Sequence, residues 1–370
     1  MSDTSTKSDR EPASERRKIW NYTPVLPLQL APYWNWPLTP LAALLYMLKS
    51  WNPVATRFLF LIGAIVTWFW FTPDLARAKA IQFDWIFEVW LRNFIILTGV
   101  AGGLHLLLLR FGLQGDGFRY DMRPMMKGTK VFWFKDQVLD NMLWSYVAMQ
   151  FWTFFECLIW YAYANGWATM ITFESNPVWF VVLIVLIPIW AGFYFYSHHR
   201  LLHVGPLYRH VHSWHHKNIN TGPWSGLAMH PVESFILMTD TLLFLIIPAN
   251  PIHVIFLLFH HGVGAPTSHT GFEKLKLGRD TGIEVGDFFH QLHHKYFDCN
   301  YGTGETPWDK WFKTFHDGTP EGDALIKQRR RELLHKMREK PIKAATSIVA
   351  QLVYCAARFK QKWHPTSQTR

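Results

Sequence analysis

Histidines are concentrated in one stretch of this 370-residue chain, where they stand in short clusters. All but four of the 19 histidines lie between His198 and His294. The clusters are His199-Arg200-Leu201-Leu202-His203, His212-Ser213-Trp214-His215-His216 and His290-Gln291-Leu292-His293-His294. Positions i, i+3 and i+4 share one face of a helix, so each cluster would direct two or three imidazoles at one point. Three converging clusters would supply about eight nitrogen ligands, which is enough for two metal ions.

A metal centre explains these clusters better than a pH-sensing or merely polar histidine patch. A buried polar group without a partner costs about 1–3 kcal/mol, and metal binding removes that cost. The three cysteines (Cys157, Cys299, Cys355) form no CxxC pair, which argues against a disulfide scaffold and a zinc ribbon. Structural zinc takes only four ligands, whereas imidazole also suits iron. Two iron ions, which support oxygen activation, fit this number of nitrogen donors best.

Long apolar segments must position the clusters. Residues 58–73, 93–109 (extended back through 85–91), 141–173 and 175–197 are apolar, and the last leads directly into the first cluster. Each approaches or exceeds the ~20 residues that cross a bilayer. Residues 235–259 are broken by Pro248-Ala249-Asn250-Pro251, which predicts a helical hairpin. The predicted fold is an all-α integral membrane bundle of about four spanning helices plus this hairpin, capped by a cytoplasmic histidine-rich helical domain.

The domain prediction follows composition. Residues 1–18 read as a disordered tail, 19–174 as an N-terminal membrane region, 175–320 as the histidine-box catalytic domain, and 321–370 as basic amphipathic helices. Segments 324–340 and 342–359 would lie along an anionic membrane or pack as solvated helices on the domain. The net charge of +10 comes without a nucleic-acid-binding module, so it indicates cytoplasmic Lys and Arg rather than a nucleic-acid partner. The basic loop 110–135 and the C-terminal third place the histidines on the cytoplasmic side, in a bacterial inner membrane or endoplasmic reticulum.

Five motifs in order resemble the fatty acid hydroxylase/sterol desaturase superfamily. The first two clusters, with Tyr196-Ser197-His198 before them, resemble its first and second histidine boxes. His230-Pro231-Val232-Glu233 and Ser268-His269-Thr270-Gly271 resemble motifs that follow. The third cluster leads into Asn300-Tyr301-Gly302 and Trp308-Asp309-Lys310, and residues 297–309 look closest to the sterol C-5 desaturase branch. The resemblance covers about residues 180–320.

The resemblance implies a membrane di-iron oxidoreductase. Such an enzyme uses O2 as co-substrate and two electrons to hydroxylate or desaturate a sterol-like or fatty acyl lipid. The implied ligands are His199, His203, His212, His215, His216, His230, His269, His290, His293 and His294. The implied neighbours that orient ligands or line the pocket are His198, His210, His260, His261 and Asp287; either His260 or His261 could replace one of the ligands.

One departure and one missing part qualify the resemblance. Family members commonly carry an acidic residue seven positions before the first-box histidine, where this chain has Gly192. The sequence shows neither a GxGxxG motif after a strand nor the His-Pro-Gly-Gly motif of a fused cytochrome b5, so a separate donor, cytochrome b5-like or ferredoxin, is expected. The alternative function is a histidine-rich membrane metal-binding protein or transporter without catalysis. The boxes lie mostly outside the apolar segments, which favours the enzyme.

Overall fold

The computed structural model describes residues 20–278, 281–332 and 335. The chain divides into two compact units, residues 1–318 and 319–370. In the second unit residues 320–332 are helical. The predicted tail 1–18 and the predicted helix 342–359 lie outside the described residues.

The described part of the first unit is mostly helical, which confirms the main feature of the predicted fold class. Short 3-10 turns (Pro32–Trp34, Leu75–Lys79, Pro223–Ser225, Thr239–Leu245) and π-helical turns (Thr98–Gly102, His105–Arg110, Tyr208–His212) connect or extend its helices. The helices and strands are α1 (Pro40–Ser50), α2 (Thr56–Phe71), α3 (Phe83–Leu97), α4 (Gln137–Ala164), α5 (Pro177–Leu202), α6 (Gly205–Leu207), α7 (Ser213–His216), α8 (Pro231–Met238), α9 (Pro251–Gly262), α10 (Gly264–Ser268), β1 (His269–Lys276), β2 (Gly282–Gly286), α11 (Phe288–Tyr296) and α12 (Trp308–Trp311).

Two helices in the described part are long and apolar enough to cross a membrane, rather than the four predicted. These are the continuous helix Phe83–Arg110, which includes α3, and α5. The segment predicted from residues 58–73 forms α2, which is only 16 residues long. The segment predicted from 141–173 forms the 28-residue α4, which ends at Ala164 with Asn165 as its C-cap, as the Asn-Gly pair suggested. Helix α4 buries polar side chains such as Asp140 and Glu156, which lower its average hydropathy.

The core is built around α9, in which every residue except His260 is buried. The Asn250 side chain caps this helix by accepting from Ile252 N at 3.0 Å, and Pro251 occupies its first turn. Helices α2, α4 and α5 pack around α9. The α4 packing is close, because a Cβ at Gly262 would lie 2.5 Å from the Trp152 ring. The break predicted at residues 248–251 therefore starts a core helix.

A two-stranded hairpin departs from the predicted all-α fold. Strands β1 and β2 are antiparallel, with His269 opposite Gly286. A Cβ at Gly286 would lie 1.7 Å from the Phe272 carbonyl oxygen, so only glycine permits this approach. The hairpin joins α10 to α11, and it brings the isolated His269 beside the third histidine cluster.

Candidate metal centre

The site lies where α5 ends and the chain turns back toward α8. Helix α5 begins at Pro177, with the Asn176 side chain accepting from Trp179 N, and it ends with His199 in the last turn and His203 as C-cap. A π-helical turn and α7 then carry the second cluster, and α11 carries the third. Three separate helical segments therefore converge.

Nine histidines form two groups with all their ligand nitrogens close together. Within each group these atoms lie within 4.8 Å of one another. All nine side chains are buried except His203, which is half-buried. The five-histidine group comprises His199, His203, His212, His216 and His293, and the four-histidine group comprises His215, His269, His290 and His294.

Each group draws on several sequence clusters. The neighbours His215 and His216 point to different groups because consecutive helical residues are about 100° apart. Likewise, α11 gives His293 to the five-histidine group, while His290 and His294 join the other. The prediction that each cluster aims at one point therefore holds for the first cluster only.

Hydrogen bonds hold several imidazoles with Nε2 as the bare nitrogen. His199 donates from Nδ1 to the Tyr301 carbonyl at 2.6 Å, and His293 donates to the Cys299 carbonyl at 2.6 Å. In the four-histidine group, His269 Nδ1 lies 2.9 Å from the Ala265 carbonyl oxygen. A carbonyl oxygen only accepts, so the proton sits on Nδ1 and the Nε2 lone pair faces the group.

The facing nitrogens lie at the separations expected between two ligands of one metal ion. His199 Nε2 is 2.9 Å from His212 Nε2, and His293 Nε2 is 3.0 Å from His216 Nε2. In the other group, His269 Nε2 is 3.1 Å from His294 Nε2. Metal–nitrogen bonds of about 2.0–2.1 Å at angles of 90–110° place two ligands about 2.8–3.4 Å apart. The two groups therefore fit one metal ion each.

Burial keeps the imidazoles neutral, as metal ligation requires. Removal from water lowers the pKa of His212 and His293 to about 3 and that of His215 to about 4. It also holds the pKa of His294 well below its usual value, with neighbouring imidazoles adding to the effect. Both nitrogens of His290 are buried without a hydrogen-bond partner. A bound cation would satisfy such an orphaned imidazole.

Comparison with known proteins identifies the segment that holds both groups. Residues 181–314, which include all nine histidines, match the family model described as fatty acid hydroxylase. This segment is a fatty acid hydroxylase domain. The superfamily predicted from the histidine boxes is thereby confirmed.

The domain's relatives are named as sterol desaturases. The chain is 29% identical to a Delta(7)-sterol 5(6)-desaturase of Gibberella zeae, over 45% of this chain and 50% of that protein. It is 29% identical to a Candida albicans protein of the same name, over 38% of this chain and 35% of the relative. A Delta(7)-sterol-C5(6)-desaturase of Nicotiana tabacum is 26% identical, over 63% of this chain and 84% of that protein. The chain thus spans half or less of the two fungal relatives. No solved structure matches it.

One carboxylate in the fatty acid hydroxylase domain accepts a hydrogen bond from a member of the five-histidine group. Glu233, at the start of α8, accepts from His212 Nδ1 at 2.7 Å and is buried. Burial raises the pKa of Glu233 to about 7, against the opposing effect of His215 and His230. Glu233 belongs to the His-Pro-x-Glu motif, in which the resemblance implied a ligand role for the histidine only. The structure places the carboxylate, and not that histidine, at the site.

His230 is the one predicted ligand that the domain keeps out of both groups. It caps α8, with Nδ1 accepting from Val232 N at 3.2 Å, and its ring packs against Trp214. A proline at the next position favours this capping arrangement at a helix start. The half-buried ring therefore belongs to neither histidine group.

Three histidines that were predicted to lie next to the ligands, His198, His210 and His260, are outside both histidine groups. His198 and His260 bond through Nδ1 to carbonyls one turn earlier in their own helices, those of Tyr194 and Phe256. His210 is exposed. No member of this trio belongs to either histidine group.

Two further predicted neighbours, one buried and one half-buried, make polar contacts. His261 Nε2 lies 2.8 Å from the Asp240 carboxylate. Asp287 caps α11 by accepting from His290 N at 3.3 Å, and burial raises its pKa to about 6. Asp287 thus holds the start of the helix that carries three of the nine histidines.

Gly192 packs tightly in the domain. A Cβ there would lie 2.9 Å from Thr306 Cγ2 and 3.3 Å from Thr303 Oγ1. A longer acidic side chain would displace the 303–306 segment from α5. The departure from the family pattern is therefore matched by the packing of this chain.

Proposed function

We propose that this protein is a membrane-embedded di-iron oxidoreductase that uses O2 and two electrons to hydroxylate or desaturate a lipid. The observation that carries the proposal is the pair of adjacent, all-imidazole groups of five and four buried histidines. Two iron ions held there would supply redox chemistry with O2, which zinc does not have. The relatives named as sterol desaturases favour a sterol-like substrate over an acyl chain.

The protein's own part in this chemistry is to hold neutral nitrogen donors in a dry site. The carbonyls of Tyr301, Cys299 and Ala265 fix which imidazole nitrogen is bare, and such contacts also raise ligand basicity. Glu233 does the same for His212 with a carboxylate. Burial excludes bulk water, which limits side reactions with solvent at the site.

The electron balance requires an external donor. Hydroxylation combines a C–H bond, O2, two electrons and two protons into an alcohol and one water. Desaturation removes two hydrogens from the lipid and, with O2, two electrons and two protons, gives an alkene and two waters. We propose that a separate cytochrome b5-like protein or ferredoxin supplies these electrons.

We propose a membrane location with the histidines on the cytoplasmic side. The apolar surface of Phe83–Arg110 supports membrane insertion, because side chains such as Phe83, Phe87 and Ile95 are exposed along it. Lys and Arg in the 110–135 loop support the cytoplasmic side under the positive-inside rule. Helix α5 would then deliver its C-terminal histidines to that membrane surface.

Lipid mass spectrometry of cells with and without this protein tests the function. A sterol-class lipid that gains one oxygen atom marks hydroxylation, and one that loses two hydrogen atoms marks desaturation. The His293→Ala variant should abolish the change, whereas His210→Ala, which alters an exposed histidine beside the second cluster, should retain it. Identical lipid profiles in all strains, with metal still bound to the purified protein, would support a metal-binding protein without catalysis.

A further inference from the structure

One short loop contacts two ligands that come from different helices. Residues 299–302 read Cys-Asn-Tyr-Gly and run between α11 and α12. The Tyr301 carbonyl accepts from His199 of α5, and the Cys299 carbonyl accepts from His293 of α11. The position of this loop therefore sets the ring orientation and bare nitrogen of two members of the five-histidine group.

The Asp309 carboxylate holds the loop in place. Its Oδ1 accepts from Tyr301 N at 2.9 Å, and its Oδ2 accepts from Gly302 N at 2.8 Å. Thr314 Oγ1 donates to Oδ1 at 2.5 Å, and the Asp309 side chain is fully buried. Hydrogen bonds to an ionised carboxylate are about twice as strong as neutral ones, and two on separate oxygens also fix its plane.

Asn300 fixes the turn between the two carbonyls. Its backbone is in the left-handed region with φ at 53°, a conformation that asparagine tolerates better than most residues. Its Nδ2 donates to the carbonyls of Phe289 and His316, each at 3.0 Å, and its Oδ1 accepts from His316 N at 2.7 Å. The buried amide therefore ties the loop to α11 and to the segment after α12.

We propose that Asp309 and Asn300 are positioning residues for the metal in the five-histidine group. They hold the Cys299 and Tyr301 carbonyls against His293 and His199, and through them set that metal's affinity. The proposal rests on the proposed function, since it takes the five-histidine group to bind a metal ion. It also implies selectivity, because in the four-histidine group the His269 ring is held by the Ala265 carbonyl, outside this loop.

Cobalt titration of the metal-free, full-length protein tests the proposal. In Asp309→Asn, one amide oxygen replaces two carboxylate oxygens, so one of the two loop N–H groups loses its acceptor. Asn300→Gly keeps the positive φ but removes the three side-chain bonds. Both variants should weaken one of two cobalt sites about 10–100-fold and leave the other unchanged, as is typical when a group that orients a ligand is lost.

The matched control is Asp136→Ala. Asp136 also accepts two backbone N–H groups, those of Val138 and Leu139 at 2.8 and 3.1 Å, but it does so at the start of α4. Both N–H groups bind the single oxygen Oδ1, so alanine removes both hydrogen bonds, and this variant should do so without weakening either cobalt site. Reduced cobalt affinity in this control, equal to that in Asp309→Asn, would mean that general destabilisation explains both results and would overturn the proposal.

Proton NMR of the cobalt-loaded protein adds a reading that a purely structural role would not change. Imidazole N–H protons on cobalt ligands give strongly shifted, solvent-exchangeable signals. We expect two of these signals, from His199 and His293, to move or exchange faster in Asn300→Gly.

Unchanged signals and unchanged affinities in folded variants would overturn the proposal. So would equal losses at both cobalt sites. If Asp309→Asn does not fold, Asn300→Gly decides alone. A wild-type protein that binds no cobalt or iron would instead refute the proposed function, and this inference with it.

Discussion

Replacing Glu233 with alanine should weaken one metal site of the two. The carboxylate is 4% exposed and accepts from His212 Nδ1 at 2.7 Å, while the His212 side chain is 1% exposed. Removing the acceptor leaves a buried N–H unpaired, which costs about 1–3 kcal/mol. At 1.4 kcal/mol per tenfold change, the metal affinity of the five-histidine group should fall about 5–150-fold.

The glutamine variant should have a smaller effect. Glu233→Gln keeps an oxygen that can accept from His212 but exchanges a charge-assisted bond for a neutral one. The difference between such bonds is about 1 kcal/mol, so the affinity should fall only about fivefold. The graded order wild type, glutamine, alanine is the expected signature of an orienting hydrogen bond.

Cobalt titration followed by visible absorption measures this order. Glu273→Gln is the matched control, because Glu273 accepts a hydrogen bond from Tyr120 at 2.5 Å and belongs to neither histidine group. The control should bind two cobalt ions with wild-type affinity. If folded Glu233→Ala binds cobalt at both sites with wild-type affinity, the assignment of Glu233 to the five-histidine group is refuted.

Three further predictions address the ligand set and the fold. His269→Ala should lose about one metal ion per chain, whereas His230→Ala should keep both; metal loss in His230→Ala would contradict its capping role. The metal-free protein should lose thermal stability as pH falls from about 6.5 toward 3, because unfolding lets buried histidines such as His212, whose folded pKa is about 3, take up protons; a melting temperature that rises over this range would contradict it. Arg92→Met should destabilise the protein by about 3–5 kcal/mol, since it leaves Glu156 buried without its ion-pair partner, and the double variant with Glu156→Gln should lose less. Equal melting temperatures of the single variant and wild type would exclude that cost.

Local spacing in the sequence predicted much of the site. The i, i+3 and i+4 spacings placed His199 and His203 on one face at the end of α5, and the pair enters one group. The apolar run 175–197 predicted the helix that carries them. These features depend on residues close in sequence, where helical geometry dictates the outcome.

Features that depend on long-range packing could not be read from spacing. Helical geometry separates His215 from His216, but the partners that each one meets come from distant segments, and the β1–β2 hairpin brings His269 to its partners. Backbone acceptors such as the Cys299 carbonyl carry no side-chain signal in the sequence. The motif match also predicted the wrong residue in part, since His230 and Glu233 belong to one motif but only the carboxylate contacts a histidine of the site.

The number of membrane-spanning helices is a further feature that the sequence alone does not determine. A run of apolar residues predicts burial but not whether lipid or protein surrounds it. Helix α9 is apolar and almost fully buried by other helices, whereas α5 exposes residues such as Val178 and Leu186. Only the packed structure separates these two cases.

The central claim is that the chain holds two metal ions in two histidine groups. The most direct test is the iron content of protein purified from iron-replete cells in the absence of O2. We expect two iron ions per chain, with about one retained in His293→Ala and about one in His294→Ala. One iron ion or none in wild-type protein that still converts its lipid would contradict the claim.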